Sequence, residues 1–180
     1  MPRYVALFRG INVGKAKRIA MADLRALLAK LGYTEVRTLL NSGNAVFTGA
    51  TGTASAHAVR IRAAVLKKLN VDALVIVKSA PEIAGIIAGN ELEGIATDGS
   101  RLLIAMTNDG EPLAALKKVA QAQWGEERIH VGKHAAYVWC ANGILESKAA
   151  VALLKDLENL GTTRNWSTLN KIHTLLQEKN

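Results

Sequence analysis

Apolar positions in this chain follow two rhythms, one of strands and one of helices. Tyr4 to Phe8 form a β-rich run without a breaker, so Arg3 to Arg9 is predicted as a strand. Met21, Leu24, Leu27, Leu28 and Leu31 recur at helical spacing, and Gly32 follows as a natural stop. Residues 34–40 and 45–48 read as strands, and Asn41-Ser42-Gly43-Asn44 between them has the composition of a turn, so a hairpin is expected. Helical spacing returns over 55–69, and 72–78 reads as a fourth strand. The order β-α-β-β-α-β is that of the split βαβ, or ferredoxin-like, unit.

The second half partly repeats this order. A strand is predicted at 101–107, a helix at 112–122, a hairpin over 128–132 and 135–140, and a helix at 147–160 that Gly161 ends. That is one strand short of the first unit. A final helix is expected over 166–177, opened by Thr163-Arg164-Asn165-Trp166 with Asn165 as its N-cap. The expected architecture is α+β: two ferredoxin-like halves packed together, the second lacking its last strand, plus a C-terminal helix. The parts are a first half at 1–79, a helical and acidic connector at 80–100, and a second half with the C-terminal helix at 101–180. Leu74-Val75-Ile76-Val77 and Leu102-Leu103-Ile104-Ala105 are apolar at consecutive positions, as strands buried on both faces are. Each half, or a second subunit, is therefore expected to cover an open sheet face.

Charge separates the two halves more sharply than the element order does. Residues 1–70 hold twelve Lys and Arg against two Asp and Glu, a net +10, while residues 71–180 hold eleven against thirteen, a net −2. Such asymmetry favours an anionic partner for the first half. One cysteine, Cys140, rules out an internal disulfide and lies in the apolar run Tyr137-Val138-Trp139-Cys140, where it reads as a small buried hydrophobe. No run approaches the roughly 18 apolar residues of a membrane span, and the start of the chain lacks the apolar core of a secretory signal. A cytoplasmic protein with no membrane association is expected.

Four segments together are recognisable: Tyr4-Val-Ala-Leu-Phe-Arg-Gly-Ile-Asn-Val-Gly14, Met21-Ala-Asp-Leu-Arg-Ala-Leu-Leu28, Val36-Arg-Thr-Leu-Leu-Asn-Ser-Gly-Asn-Ala-Val-Phe47 and Thr163-Arg-Asn-Trp166. They resemble the bacterial domain-of-unknown-function family numbered 1697, across nearly the whole chain. Many relatives carry a second glycine after the Gly14 equivalent, where this chain has Lys15. The resemblance implies a two-part α+β fold with related halves. It implies no established activity and supplies no catalytic residues.

The most informative stretch is the loop Arg9-Gly10-Ile11-Asn12-Val13-Gly14-Lys15-Ala16-Lys17-Arg18. Strand-to-helix connections usually take about 2–6 residues, and this one is longer. Its glycines permit unusual backbone angles and leave amide groups uncovered, while Arg9, Lys15, Lys17 and Arg18 surround them. That chemistry suits phosphate, carboxylate or a nucleic-acid backbone. Gly10 and Gly14 enclose only three residues, and Ala16 stands where a Walker A loop needs a hydroxyl, so neither that motif nor G-x-G-x-x-G is present. The start of the third strand should lie beside the end of the first, which would bring Ser42 and Asn44 near Arg9, Gly10 and Asn12. Arg164 is expected to face the same ligand, because an arginine beside a helix N-terminus is favourable when an anion lies between them.

The ligand-binding set is therefore Arg9, Gly10, Asn12, Gly14, Lys15, Lys17, Arg18, Ser42, Asn44 and Arg164. The function expected is binding of an anionic ligand: nucleic acid, a nucleotide or a phosphorylated metabolite. One alternative is a small-molecule enzyme with a cleft between the halves, using Asn12, Asn44 or Arg164 to orient substrate. Another is a structural homodimer whose basic face meets an acidic protein partner. Tyr4 and Phe8 share a face and Phe47 lies on the third strand, as stacking aromatics do in RNA-recognition modules, but core packing is the stronger reading. His130 and His134 flank a hairpin turn, and His57 and His173 are isolated, so no metal site is expected and no cofactor.

Overall fold

The computed structural model describes residues 1–178. The described chain divides into two compact units, one holding residues 1–81 together with 172–178, the other residues 82–171.

In the first unit the elements are β1 (Arg3–Phe8), α1 (Met21–Lys30), β2 (Thr34–Leu39), β3 (Asn44–Thr48), α2 (Ala54–Leu69) and β4 (Val75–Ser79). The strands form one antiparallel sheet in the order β2-β3-β1-β4. Alternation along the strands places Tyr4, Ala6, Phe8, Ala45, Phe47, Val75 and Val77 on one face, and these pack with Leu24, Leu27 and Leu28 of α1 and Ala58, Ile61 and Val65 of α2. Each large apolar side chain buried here contributes about 1.5–3 kcal/mol. The rings of Tyr4, Phe8 and Phe47 are at most 3% exposed, and Tyr4 stacks on Phe47 at 5.6 Å. They belong to the core and present no surface on which bases could stack.

The second unit follows α3 (Ala80–Ala88) with β5 (Leu102–Thr107), α4 (Glu111–Ala115), α5 (Lys117–Ala120), β6 (Arg128–Val131), β7 (Ala136–Trp139), a 3₁₀ turn at Ile144–Glu146, α6 (Lys148–Leu157) and β8 (Gly161–Asn165). Its sheet order, β6-β7-β5-β8, repeats that of the first. Each half thus has the ferredoxin-like arrangement. The last helix, α7 (Trp166–Gln177), starts in the second unit and ends in the first.

The second half does not lack its last strand. Gly161–Asn165 forms β8 and pairs antiparallel with β5, from Gly161 opposite Thr107 to Asn165 opposite Leu103. Its sequence Gly-Thr-Thr-Arg-Asn hides the strand, because an edge strand of five residues without an apolar alternation carries little signal. A Cβ on Gly161 would lie 2.6 Å from the Met106 carbonyl oxygen and 2.9 Å from Leu157, so glycine is what lets the strand enter there. The expected helix at 112–122 is interrupted as well. At Leu116 the N–H bonds to Leu113, a tighter 3₁₀-type turn that separates α4 from α5. The N-cap expected of Asn165 is present: its Oδ1 accepts the N–H of Thr168 at 2.8 Å, and Leu169, Ile172 and Leu176 are buried along α7. Among the described residues no helix is long and apolar enough to cross a membrane.

Candidate anion site

The link from β1 to α1 is built on two buried isoleucines. Ile11 is 1% exposed and Ile19 is 4% exposed, so both ends of the loop are fixed in the core of the first unit. The backbone turns through left-handed angles at Gly10 (φ 67°), just before Ile11, and between the two isoleucines at Asn12 (φ 57°), Gly14 (φ 61°) and Lys17 (φ 49°). Asparagine adopts this region more readily than most residues because its short amide bonds locally.

That amide closes the loop. Asn12 Oδ1 accepts the N–H of Ile19 at 2.8 Å, and its Nδ2 donates to the carbonyls of Ile19 at 2.9 Å and Asn41 at 2.8 Å. The Asn12 N–H donates to the Lys17 carbonyl at 3.0 Å. One side chain thus shuts the loop on itself and ties it to the β2–β3 turn. Arg18 donates from Nη1 to the Gly14 carbonyl at 3.1 Å. Lys15, Lys17 and Arg18 are exposed, and among the described residues the ammonium groups of Lys15 and Lys17 have neither hydrogen-bond nor ion-pair partners.

The β2–β3 turn is pressed against this loop. Phe8 N–H donates to the Gly43 carbonyl at 2.9 Å. Gly43 has φ 87°, and a Cβ there would lie 2.5 Å from Ile11 Cδ1 and 2.9 Å from Phe8 Cβ. Position 43 thus requires glycine twice over, for its backbone angle and for the close approach. Asn44 lies opposite Leu7 in the β1–β3 pairing, beside the loop as expected. It is fully buried, however, and its Nδ2 donates to the Leu39 carbonyl at 2.7 Å and to Ser42 Oγ at 3.3 Å.

A cleft of about 360 Å³ opens where loop, turn and helix meet, lined by Asn12, Arg18, Ile19, Ala20, Met21 and Asn41. Among the described residues no carboxylate lines it. The helix it abuts begins without a side-chain cap, since Ala20 occupies the N-cap position. The first intrahelical bond runs from Leu24 N–H to the Ala20 carbonyl, so the N–H groups of the turn before it have no partner within the helix. α2 and α6 are capped in the ordinary way, by Thr53 accepting from Ala56 and Ser147 accepting from Ala150.

The structure therefore brings Arg9, Gly10, Asn12, Gly14, Lys15, Lys17, Arg18 and Ser42 onto one loop and its adjoining turn. Asn12 and Asn44 hold that framework with their amides, Asn44 fully buried and Asn12 at the wall of the cleft. Arg164 does not open the last helix as expected: it lies within β8 opposite Ile104. It is 9% exposed, its Nη1 donates to Thr162 Oγ1 at 3.1 Å and the Thr163 carbonyl at 2.7 Å, and burial lowers its pKa to about 10. The feature that sequence reading missed is the bare start of α1. Its signal was Ala20, standing where Ser, Thr, Asp or Asn would be usual.

The remaining candidates have structural partners. His130 Nδ1 lies 3.4 Å from Glu91 Oε2, and among the described residues no three His, Cys, Asp or Glu side chains gather into a metal-binding group. Cys140 is fully buried, and burial raises the pKa of its thiol.

The solved structure of the conserved bacterial protein SP0830 from Streptococcus pneumoniae is similar along nearly the full length of both chains. It covers 98% of this chain and 99% of that one, with a TM-score of 0.78 and 24% sequence identity, a likeness of fold. No curated protein matches the chain. The family model described as "Protein of unknown function (DUF1697)" matches residues 1–137, which takes in the loop, the hairpin and the first seven strands up to Tyr137, while Thr163–Trp166 lies beyond the match. The chain belongs to the DUF1697 family.

Proposed function

We propose that the cleft at the start of α1 binds a small phosphorylated ligand, with Lys15, Lys17 and Arg18 neutralising its charge and the uncapped N–H groups of α1 receiving its oxygens. The observation that carries this reading is the convergence of an uncapped helix N-terminus and a guanidinium in one cleft that, among the described residues, no carboxylate lines. A helix N-terminus carries partial positive charge and open donors, and a phosphate satisfies both. The three exposed cations lie within four residues on a loop that Asn12 and two buried isoleucines hold in place, so little ordering is needed when an anion arrives. A volume of about 360 Å³ suits a phosphate with a sugar-sized body. The burial of the aromatics of β1 and β3 favours a nucleotide or phosphorylated metabolite over a nucleic-acid strand, because these rings offer no platform for successive bases.

Isothermal calorimetry of the full chain with inorganic pyrophosphate and with nucleoside monophosphates tests the proposal. Saturable one-to-one binding that the Lys15→Ala, Lys17→Ala, Arg18→Ala triple variant loses at least tenfold is the expected result. Equal affinity in the two proteins would remove the loop from the site.

A further inference from the structure

The paired helices of the first unit carry a second recess that shares no residue with the cleft above. It measures about 510 Å³ and lies between α1 and α2. Its apolar part is Ala26, Leu27 and Leu31 on one side and Ala64 and Leu69 on the other. Among the described residues Lys30, Lys67 and Lys68 are the basic residues of the lining and Asp23 the sole acid.

The state of the cations on these helices distinguishes this recess from an ordinary solvated surface. α1 and α2 together carry six. Arg25 donates to Thr38 Oγ1, Arg60 donates to the Leu31 carbonyl and lies over the Tyr33 ring, and Arg62 is paired with Asp72. Among the described residues the other three, Lys30, Lys67 and Lys68, have no side-chain hydrogen bond or ion pair, and all three line the recess. Their places in the last turns of α1 and α2 suit the helix dipoles. Dipole compensation does not call for an apolar hollow between them.

We propose that this recess binds a small amphiphilic anion, its apolar body on Leu27, Leu31, Ala64 and Leu69 and its carboxylate or phosphate head among Lys30, Lys67 and Lys68. Three ammonium groups against one carboxylate set the sign of the head group. The apolar lining sets the rest, since pockets for small ligands combine a mostly apolar wall with a few polar groups that fix orientation. Size argues against a protein partner as the occupant. A stable interface engages some 20–30 residues on each side, and nine line this recess.

The probes are decanoate, decyltrimethylammonium and acetate, each titrated into the full chain below micelle-forming concentration and followed by backbone NMR. Decanoate should shift the resonances of Leu27, Leu31, Ala64 and Leu69 saturably at one-to-one stoichiometry, while the cationic amphiphile and acetate should not. Replacing Lys30, Lys67 and Lys68 together by Gln should weaken decanoate at least tenfold with only a small fall in melting temperature, from the lost dipole compensation. Ala64→Leu, which fills the hollow and keeps the charges, should abolish it. Equal binding of the cationic amphiphile, or unaltered decanoate affinity in the Gln variant, would overturn the proposal. So would an acidic amphipathic peptide binding at these residues where decanoate does not. Pyrophosphate binding at the first cleft should survive in both variants, which keeps the outcome separate from that of the phosphate site.

Discussion

The two halves of this protein share one strand order and differ at the same connection. In the first, twelve residues join β1 to α1, and in the second, Asn108-Asp109-Gly110 alone joins β5 to α4. The short link is of the usual length and carries an acid, and Thr107 Oγ1 donates to the Asp109 carbonyl to tighten it. The long link carries four basic residues and no acid. The adjoining turns differ in step. Gly43 precedes β3 and is packed against Ile11 of the long loop, whereas Ala135 precedes β7 and is accommodated without a left-handed angle. A ferredoxin-like half therefore needs neither the long loop nor the glycine.

If that is right, the largest effect should come from breaking the contact between turn and loop. Gly43→Ala combines a left-handed angle with a Cβ driven into Ile11 and Phe8, and a loss of about 3 kcal/mol in urea unfolding is expected. Ala135→Gly, at the corresponding place in the other half, should cost about 1 kcal/mol or less. Equal losses would mean that the two turns are not built differently.

Next in size is the clasp. Asn12→Ala removes three hydrogen bonds and should cost about 2 kcal/mol. Asn12→Gly relieves the backbone angle yet should still release the loop, seen as faster amide exchange over residues 13–18 than in wild type. Unchanged exchange would show that the buried isoleucines hold the loop without Asn12.

A smaller, pH-dependent difference should separate the helices. The first buried residue of α2 is His57, that of α6 is Ala149. Burial lowers the pKa of His57 from 6.5, with the nearby backbone of Ala50 opposing the effect and the charge of Arg60 adding to it. The unfolded chain then takes up a proton that the folded chain resists, so stability should be full above about pH 6.5 and decline as the pH falls below it. Denaturant titrations from pH 8 to 5 should show this decline in wild type and a shallower one in His57→Phe. Parallel curves would assign the acid sensitivity to other groups.

Much of this was readable in advance because apolar period and turn chemistry act locally. The unbroken β-rich run of β1, the helical spacing of α1 and the Asn-Ser-Gly-Asn turn each mark an element within a few residues. β8 was not readable, since a short polar edge strand is fixed by its pairing with β5 and by the room that Gly161 leaves under Leu157. The basic loop was evident from its glycines and charges. That Asn12 and Asn44 would turn inward was not, because an asparagine in a glycine-rich stretch serves equally as a ligand group or as a backbone clasp until its neighbours are in place. Arg164 misled for a related reason: its placement depended on whether β8 or α7 claimed it.

The central claim, that the long basic link of the first half is an anion site and its counterpart in the second half is not, is tested most directly by titrating inorganic phosphate into the full chain and following backbone amide resonances. The amides of Gly14 to Asp23 should shift saturably, with smaller amplitude as salt is raised, while those of Asn108 to Leu113 stay still. Shifts of similar size in both links, or none in the first, would contradict it.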